Sequence, residues 1–192
     1  RASRRRRAIL RVEGVEDRLA PAVVGAISIV GTNLVYSGVG QNTNSLTLSG
    51  SDAALTFADA GGTIQNNTGG LFVNGGAVPG FITSINFNLN DLFDSATVAS
   101  ITTTRNLGAA SNLLTFSGTN TARSVTATGT TILTSGMATT IDTSAGPVGG
   151  AVTFNGNLSL GGTLTVDTDA TTDGAVTFQK LVTGSSTLTV TA

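Results

Sequence analysis

The sequence predicts an all-β chain wound as a right-handed parallel β-helix, a β-solenoid with coils of about 24 residues. Three observations carry this. The end of the chain repeats itself: Ala151-Val-Thr-Phe154 recurs as Ala175-Val-Thr-Phe178, and Leu164-Thr-Val166 as Leu188-Thr-Val190, each 24 residues on. A fainter echo aligns Thr140-Ile-Asp-Thr143 with Thr165-Val-Asp-Thr168 at an offset of 25. Second, apolar residues alternate with polar ones at the period of two that a half-buried strand requires. Third, glycine-bearing corners punctuate the strands, as at Ser49-Gly50, Asn74-Gly-Gly76, Gly149-Gly150, Gly161-Gly162 and Asp173-Gly174. Glycine supplies the backbone freedom that tight corners need.

Taken in chain order, residues 1–22 form a basic tail, RASRRRRAILRVEGVEDRLAPA. It has the character of a targeting segment or pre-sequence, and with little apolar surface to bury it is expected to be extended or disordered. From residue 23 to 104 strands follow one another with a weak period, as an irregular solenoid or a small β-module. Leu46/Leu48, Leu55/Phe57 and Ile85/Phe87/Leu89 mark strands here. Asn90–Ala99 can be read as a short helix capped by Asn90, although a loop followed by a strand suits its content better. From 105 to 192 the coils become regular, with inward positions at Val152, Phe154, Leu164, Val166, Val176, Phe178, Leu188 and Val190. At a constant 24-residue period, residues 25–192 would make about seven coils and a rod of roughly 34 Å. The chain opens on Arg and closes within a repeat, so it reads as a piece of a longer protein.

Composition narrows the function. Charged residues are 11% of the chain, below the usual quarter, and Gly, Thr, Ser and Asn stand in their place. Residues 1–18 hold seven Arg against three acids, whereas residues 19–192 hold Arg105, Arg123 and Lys180 against eight Asp. The body is therefore mildly acidic and offers no electrostatic footprint for nucleic acid. With no Cys, neither a disulfide nor a thiolate metal site can brace the fold; with no His, the commonest general base and metal ligand are both missing. No apolar run approaches the roughly 18 residues of a membrane span. A phosphate-binding loop, a nucleophile elbow and a zinc motif are likewise absent from the sequence.

In the tail, Arg4–Arg7, Leu10-Arg-Val-Glu13, Val15-Glu-Asp-Arg18 and Pro21-Ala22 together resemble the N-terminal signature of large planctomycetal surface and secreted proteins. Val15 stands where that family usually has Leu. The G-x-V-T-F and T-L-T-V repeats downstream are similar to those of filamentous-haemagglutinin-like and autotransporter-type adhesins. The resemblance implies an extracellular or cell-envelope location and a structural or adhesive role.

Three clusters are candidate sites. Asp167, Asp169 and Asp173 are the best group of hard oxygen ligands and the candidate calcium site, the one cofactor the sequence suggests. Their spacing departs from an EF-hand loop, and the alternative is that they accept backbone N–H bonds at a corner. Asp91 and Asp94 have the look of paired carboxylates for glycoside hydrolysis, set against a solvated loop pair. Asn66-Asn67-Thr68 matches a glycosylation sequon, which carries little weight in a bacterial-looking chain.

The expected function is a non-enzymatic structural or adhesive repeat segment of a large exported bacterial surface protein. Its expected partners are further repeats of the same chain, surface polysaccharide or other cell-surface proteins. The alternative is a polysaccharide-active or carbohydrate-binding β-helix protein. That alternative needs either charged groups gathered on one face or exposed aromatic side chains, from Tyr36 and eight Phe.

Overall fold

A computed structural model describes residues 22–38, 43–89, 91 and 93–192. The expected basic tail, including the segment that resembles the surface-protein signature, lies outside the described residues apart from Ala22.

The described chain is all-β, seventeen strands arranged in two sheets that face each other across one apolar core. Sheet A runs in the order β15-β12-β10-β8-β6-β2-β1-β5, and sheet B in the order β16-β13-β11-β9-β7-β3-β4. The chain passes from one sheet to the other and back, and each pass lies parallel to the one before it. In sheet A, β2 (Asn33–Gly38), β6 (Ser84–Asn88), β8 (Asn106–Ala110), β10 (Ser124–Thr128), β12 (Val152–Phe154) and β15 (Val176–Phe178) stack in this way. In sheet B, β3 (Ser45–Ser51), β7 (Ser95–Thr102), β9 (Leu113–Thr121), β11 (Thr131–Asp142), β13 (Asn157–Leu160) and β16 (Val182–Gly184) do the same. One strand from each sheet makes a rung, so six rungs are stacked. The second half of β11 also carries β14 (Leu164–Asp167), which carries β17 (Leu188–Thr191). Both sheets continue unbroken across residues 104–105, where β6 pairs with β8 and β7 with β9. Asn90, the expected cap, lies outside the described residues; the later part of that segment enters β7 at Ser95, so the strand reading holds there.

Alternation fixes which residues face the core. Val152, Phe154, Leu164 and Val166 are buried. Their counterparts sit in register one rung on, as Val152↔Val176, Phe154↔Phe178, Leu164↔Leu188 and Val166↔Val190. The last four are only half-buried or, for Val190, exposed, because β15, β16 and β17 are covered by a rung on one side alone. One inward column reads Phe87, Ala109, Ala127, Phe154, Phe178 along sheet A. Where Ala109 leaves space, Phe116 of the same rung is buried from the opposite sheet, the large-against-small complementarity that dense packing requires.

Rung length is not constant, contrary to the single 24-residue period. The registers Asn106↔Ser124 and Leu113↔Thr131 define an 18-residue rung. Thr131↔Asn157 adds eight residues to it, and Val152↔Val176 gives the 24 of the visible repeat. Part of the added length lies within β11, whose pairing with β9 shifts register between Thr134 and Thr139, and the rest lies in the corners, which face solvent and tolerate insertion. The sheet B strands also bend midway. In β9 the bend falls at Gly118 (φ +66°), directly beneath Ser100 (φ +51°) of β7; a Cβ at Gly118 would lie 2.2 Å from Ser100 Oγ. Only glycine fits that close approach.

The N-terminal end is built differently. β1 (Val23–Val30) turns through Gly31-Thr32 into β2 as an antiparallel hairpin, and β4 (Ala54–Asp59) folds back antiparallel on β3. β5 (Thr63–Asn66) then lies parallel to β1. The connection 67–83 buries Phe72, Val78 and Ile82 against the end of the core, with Phe72 edge-on to Phe57. Its Asn74 imitates a strand: Phe57 N–H donates to Asn74 Oδ1 (2.8 Å) and Asn74 Nδ2 donates to Phe57 O (2.7 Å). The outer edge of β4 is thereby satisfied, which blunts a surface that would otherwise template pairing.

Candidate functional site

Every rung has two corners, and the polar chemistry of the chain collects there. The corner that follows the sheet B strands is the more elaborate. A single buried position recurs in it, occupied by Thr103, Ala122, Thr143 and Thr168 in successive rungs. Thr103 N, Ala122 N, Thr143 N and Thr168 N each donate to the carbonyl of the next rung, those of Thr121, Asp142, Asp167 and Thr191. The residue type follows the length of the corner. Where the corner is only Ala122-Arg123, the buried residue is Ala. Where it lengthens beyond Thr143 and Thr168, the hydroxyl closes the loop: Thr143 Oγ1 donates to Gly150 O (2.7 Å) and Thr168 Oγ1 to Gly174 O (2.9 Å).

The calcium candidates lie in this corner. Asp167 ends β14, and its Oδ1 accepts the N–H of Asp169 (3.0 Å). Asp142, its register partner one rung earlier, accepts from Ser144 N (2.9 Å) and Ser144 Oγ (2.6 Å) in the same turn geometry. Asp169 and Asp173 are exposed on the loop that follows. Among the described residues no group of three or more His, Cys, Asp or Glu is placed to hold a metal ion. The observed geometry at Asp167 is that of a turn acceptor.

Asp91 and Asp94 lie at the opposite corner, away from Arg105, Asp142 and Asp167. Asp94 is 2% exposed and committed: Oδ1 accepts from Asn44 N (2.7 Å) and Oδ2 from Asp91 N (3.2 Å). It is therefore a buried loop anchor and not half of a solvated pair. Asp91 lines a shallow recess of about 360 Å³ together with Asn88, Ser111, Asn112, Thr128 and Thr130. Asn66 of the sequon is engaged too, with Nδ2 donating to Phe72 O (2.8 Å) and Oδ1 accepting from Thr68 Oγ1 (2.7 Å). Of the aromatics, Tyr36 is fully buried, stacked on Phe57, and donates to Asp59 Oδ2 (2.7 Å). Burial, then the Asp59 hydrogen bond and charge, push its phenol far above the usual range. Phe81 and Phe93 are exposed, and Phe178 is half-buried.

Two features of the first corner carry no repeat or motif. Asp52, in the β3–β4 turn, reaches across to the β7–β8 corner, where it accepts from Thr103 Oγ1, Thr104 N (3.0 Å) and Thr104 Oγ1 (2.7 Å) and pairs with Arg105 (3.5 Å). Burial raises its pKa, but those hydrogen bonds and the Arg105 charge outweigh burial and hold the carboxyl below its ordinary value. Arg105 Nη1 also donates to Gly80 O (3.2 Å) and to Ile82 O. This network pins the N-terminal connection to the stack. Next to it lies a recess of about 290 Å³ lined by Thr103, Thr104, Arg123, Thr143 and the 145–148 loop. The sequence signal for it is indirect: Arg123 is one of three cations in residues 19–192, and the loop that faces it is a local lengthening of the repeat.

Comparison with known proteins gives no matching family model and no significant match to a curated protein or to a solved structure. Among the described residues, no helix is long and apolar enough to cross a membrane.

Proposed function

We propose that the chain is a right-handed parallel β-helix serving as a non-enzymatic structural or adhesive segment of a large exported bacterial surface protein, extracellular or in the cell envelope. The winding is supported by the topology: successive parallel strands of each sheet are joined by crossovers through the other sheet. Such crossovers are right-handed in about 98% of cases. The observation that carries the role is the use of the polar corner side chains. Thr143, Thr168, Asp142, Asp167 and Asp94 are all spent on backbone groups. A scaffold that commits its titratable and hydroxyl groups to its own shape is suited to spacing and display. Export is supported by the resemblance of Arg4–Ala22 to the surface-protein signature. Further repeats of the same chain, surface polysaccharide or other surface proteins are the partners that fit.

The test is antibody labelling of the native protein on intact cells of its source, before and after protease shaving. Labelling that is lost on shaving is expected; labelling only after permeabilisation overturns the location. Release of reducing ends from a polysaccharide panel by the purified chain would overturn the non-enzymatic reading.

A further inference from the structure

The recess beside Arg123 owes its existence to a mismatch between neighbouring rungs. The β9–β10 corner is two residues, Ala122-Arg123, whereas the β11–β12 corner one rung on runs through 143–151 and overhangs it. The floor is rigid. Arg123 N donates to Arg105 O (2.9 Å), and Gly150 packs so closely on the other side that a Cβ there would lie 1.5 Å from Arg123 O. The overhanging loop is braced by Thr143 Oγ1 and by a parallel bridge between Val148 and Thr172.

The lining is chemically specific. Arg123 brings a guanidinium, and among the described residues no carboxylate lines the recess. Arg105, one rung earlier, is already paired with Asp52, whereas Arg123 has no ion-pair partner among the described residues. The acid nearest in sequence, Asp142, is turned to Ser144. Thr104 is exposed and donates its hydroxyl proton to Asp52, which leaves its oxygen as an acceptor for a ligand, whereas Thr143 is buried and braces the wall through Gly150 O. On the other side, Ala145, Pro147 and Val148 form an exposed apolar wall.

We propose that this recess binds a hexuronate, with Arg123 taking the sugar carboxylate, Thr104 accepting from a ring hydroxyl, and Pro147–Val148 covering a C–H face. An arginine fork matches a carboxylate in two parallel hydrogen bonds. A single cation suits a monoanion better than a phosphate dianion, and an acceptor oxygen beside an apolar wall suits a polyhydroxylated ring. The recess, about 290 Å³, is large enough to admit a monosaccharide. The inference is independent of the chain's place in a surface protein, since it concerns the lining alone.

The experiment is a titration of the isotope-labelled chain followed by amide chemical shifts, with sodium glucuronate, glucose, inorganic phosphate and trigalacturonate as probes. Saturable shifts confined to residues 103–104, 123 and 143–150 are expected with glucuronate, and at least about tenfold weaker binding with glucose. Arg123→Gln weakens glucuronate about tenfold or more while leaving the melting temperature unchanged, because Arg123 is exposed. Trigalacturonate binding tighter than glucuronate supports the site and assigns it to a polymer; equal binding supports it and assigns it to the free sugar. Absence of saturable shifts, shifts located elsewhere, phosphate binding as tightly as glucuronate, or full binding by Arg123→Gln would each overturn the proposal.

Discussion

Phe154 and Phe178 occupy the same inward position on consecutive rungs, so they separate the value of an interior rung from that of a terminal one. Phe154 is 1% exposed, stacks on Phe178 with ring centroids 5.2 Å apart and planes 1° apart, and meets Phe116 edge-on at 6.5 Å. Phe154→Ala therefore removes a fully buried ring and two aromatic contacts. Burial of the ring contributes about 1.5–3 kcal/mol, each aromatic pair about 0.5–1.5 kcal/mol more, and the residual cavity adds to both. Both neighbours are held by strands in fixed register, so the site collapses poorly, and a loss of about 4–5 kcal/mol is expected, the upper end for such truncations. Phe178 is half-buried with one aromatic neighbour, and Phe178→Ala should cost about half as much. The double variant should show a coupling of about 0.5–1.5 kcal/mol.

Urea unfolding followed by far-UV circular dichroism measures these losses, and Tyr36 fluorescence provides a second probe at the other end of the stack. Stacked repeats need not unfold in one step. If the two probes shift together, the rungs form one cooperative unit; if only the dichroism shifts, the terminal rungs melt alone. A loss below about 1 kcal/mol for Phe154→Ala, or equal losses at both positions, would refute the reasoning, because the interior rung would then gain nothing from being covered on both sides.

Four further outcomes are expected. Folded Asp52 holds its proton less tightly than a free aspartate, so its stabilisation is complete above about pH 4 and lost as pH falls through its lower folded value; Asp52→Asn should flatten the fall in melting temperature across that acid window and leave no new dependence near neutrality. Thr168→Val deletes the bond that closes the β14–β15 corner, and calorimetry should record a loss of about 1 kcal/mol. The outer edges of β15, β16 and β17 are unpaired among the described residues and sit beside exposed Leu181 and Val190; the chain should therefore self-associate with concentration in sedimentation, and Leu188→Lys with Val190→Lys should suppress it. Chelator should alter neither fold nor association, and unfolding by chelator would instead establish a calcium site at Asp167, Asp169 and Asp173.

The inward residues of the C-terminal rungs were legible because alternation at period two and a 24-residue echo report the same geometry. The 18-residue rungs left no echo. Their columns exchange Phe for Ala at 109 and 127, and the compensation comes from Phe116 across the core, a relation no periodic comparison along the chain detects. The antiparallel hairpins at the N-terminal end were hidden for a different reason. Leu46/Leu48 and Leu55/Phe57 alternate identically in either strand direction, and only the two-residue turns Gly31-Thr32 and Asp52-Ala53 distinguish them. Phe72, Val78 and Ile82 are buried from an irregular connection with no period at all. At the candidate sites, the burial of Asp94 leaves no local signal in the sequence, because its partner, Asn44 N, lies fifty residues away.

Corner length is the variable this architecture leaves free, and the buried threonine position shows how the chain accommodates it. A two-residue corner needs no internal brace, and Ala122 supplies none. A corner that lengthens must find a donor for carbonyls that no longer face the next rung, and Thr143 and Thr168 provide it from within the stack. Lengthening one corner while its neighbour stays short necessarily creates an overhang, and the residue beneath the overhang becomes the floor of a recess. Arg123 is that residue. The strands on either side keep their register, since β10 pairs with β8 and β12 without a shift. A binding recess can thus be added or reshaped by insertion at a corner at little cost to the core, and the place to look for chemistry in such a chain is wherever rung length changes.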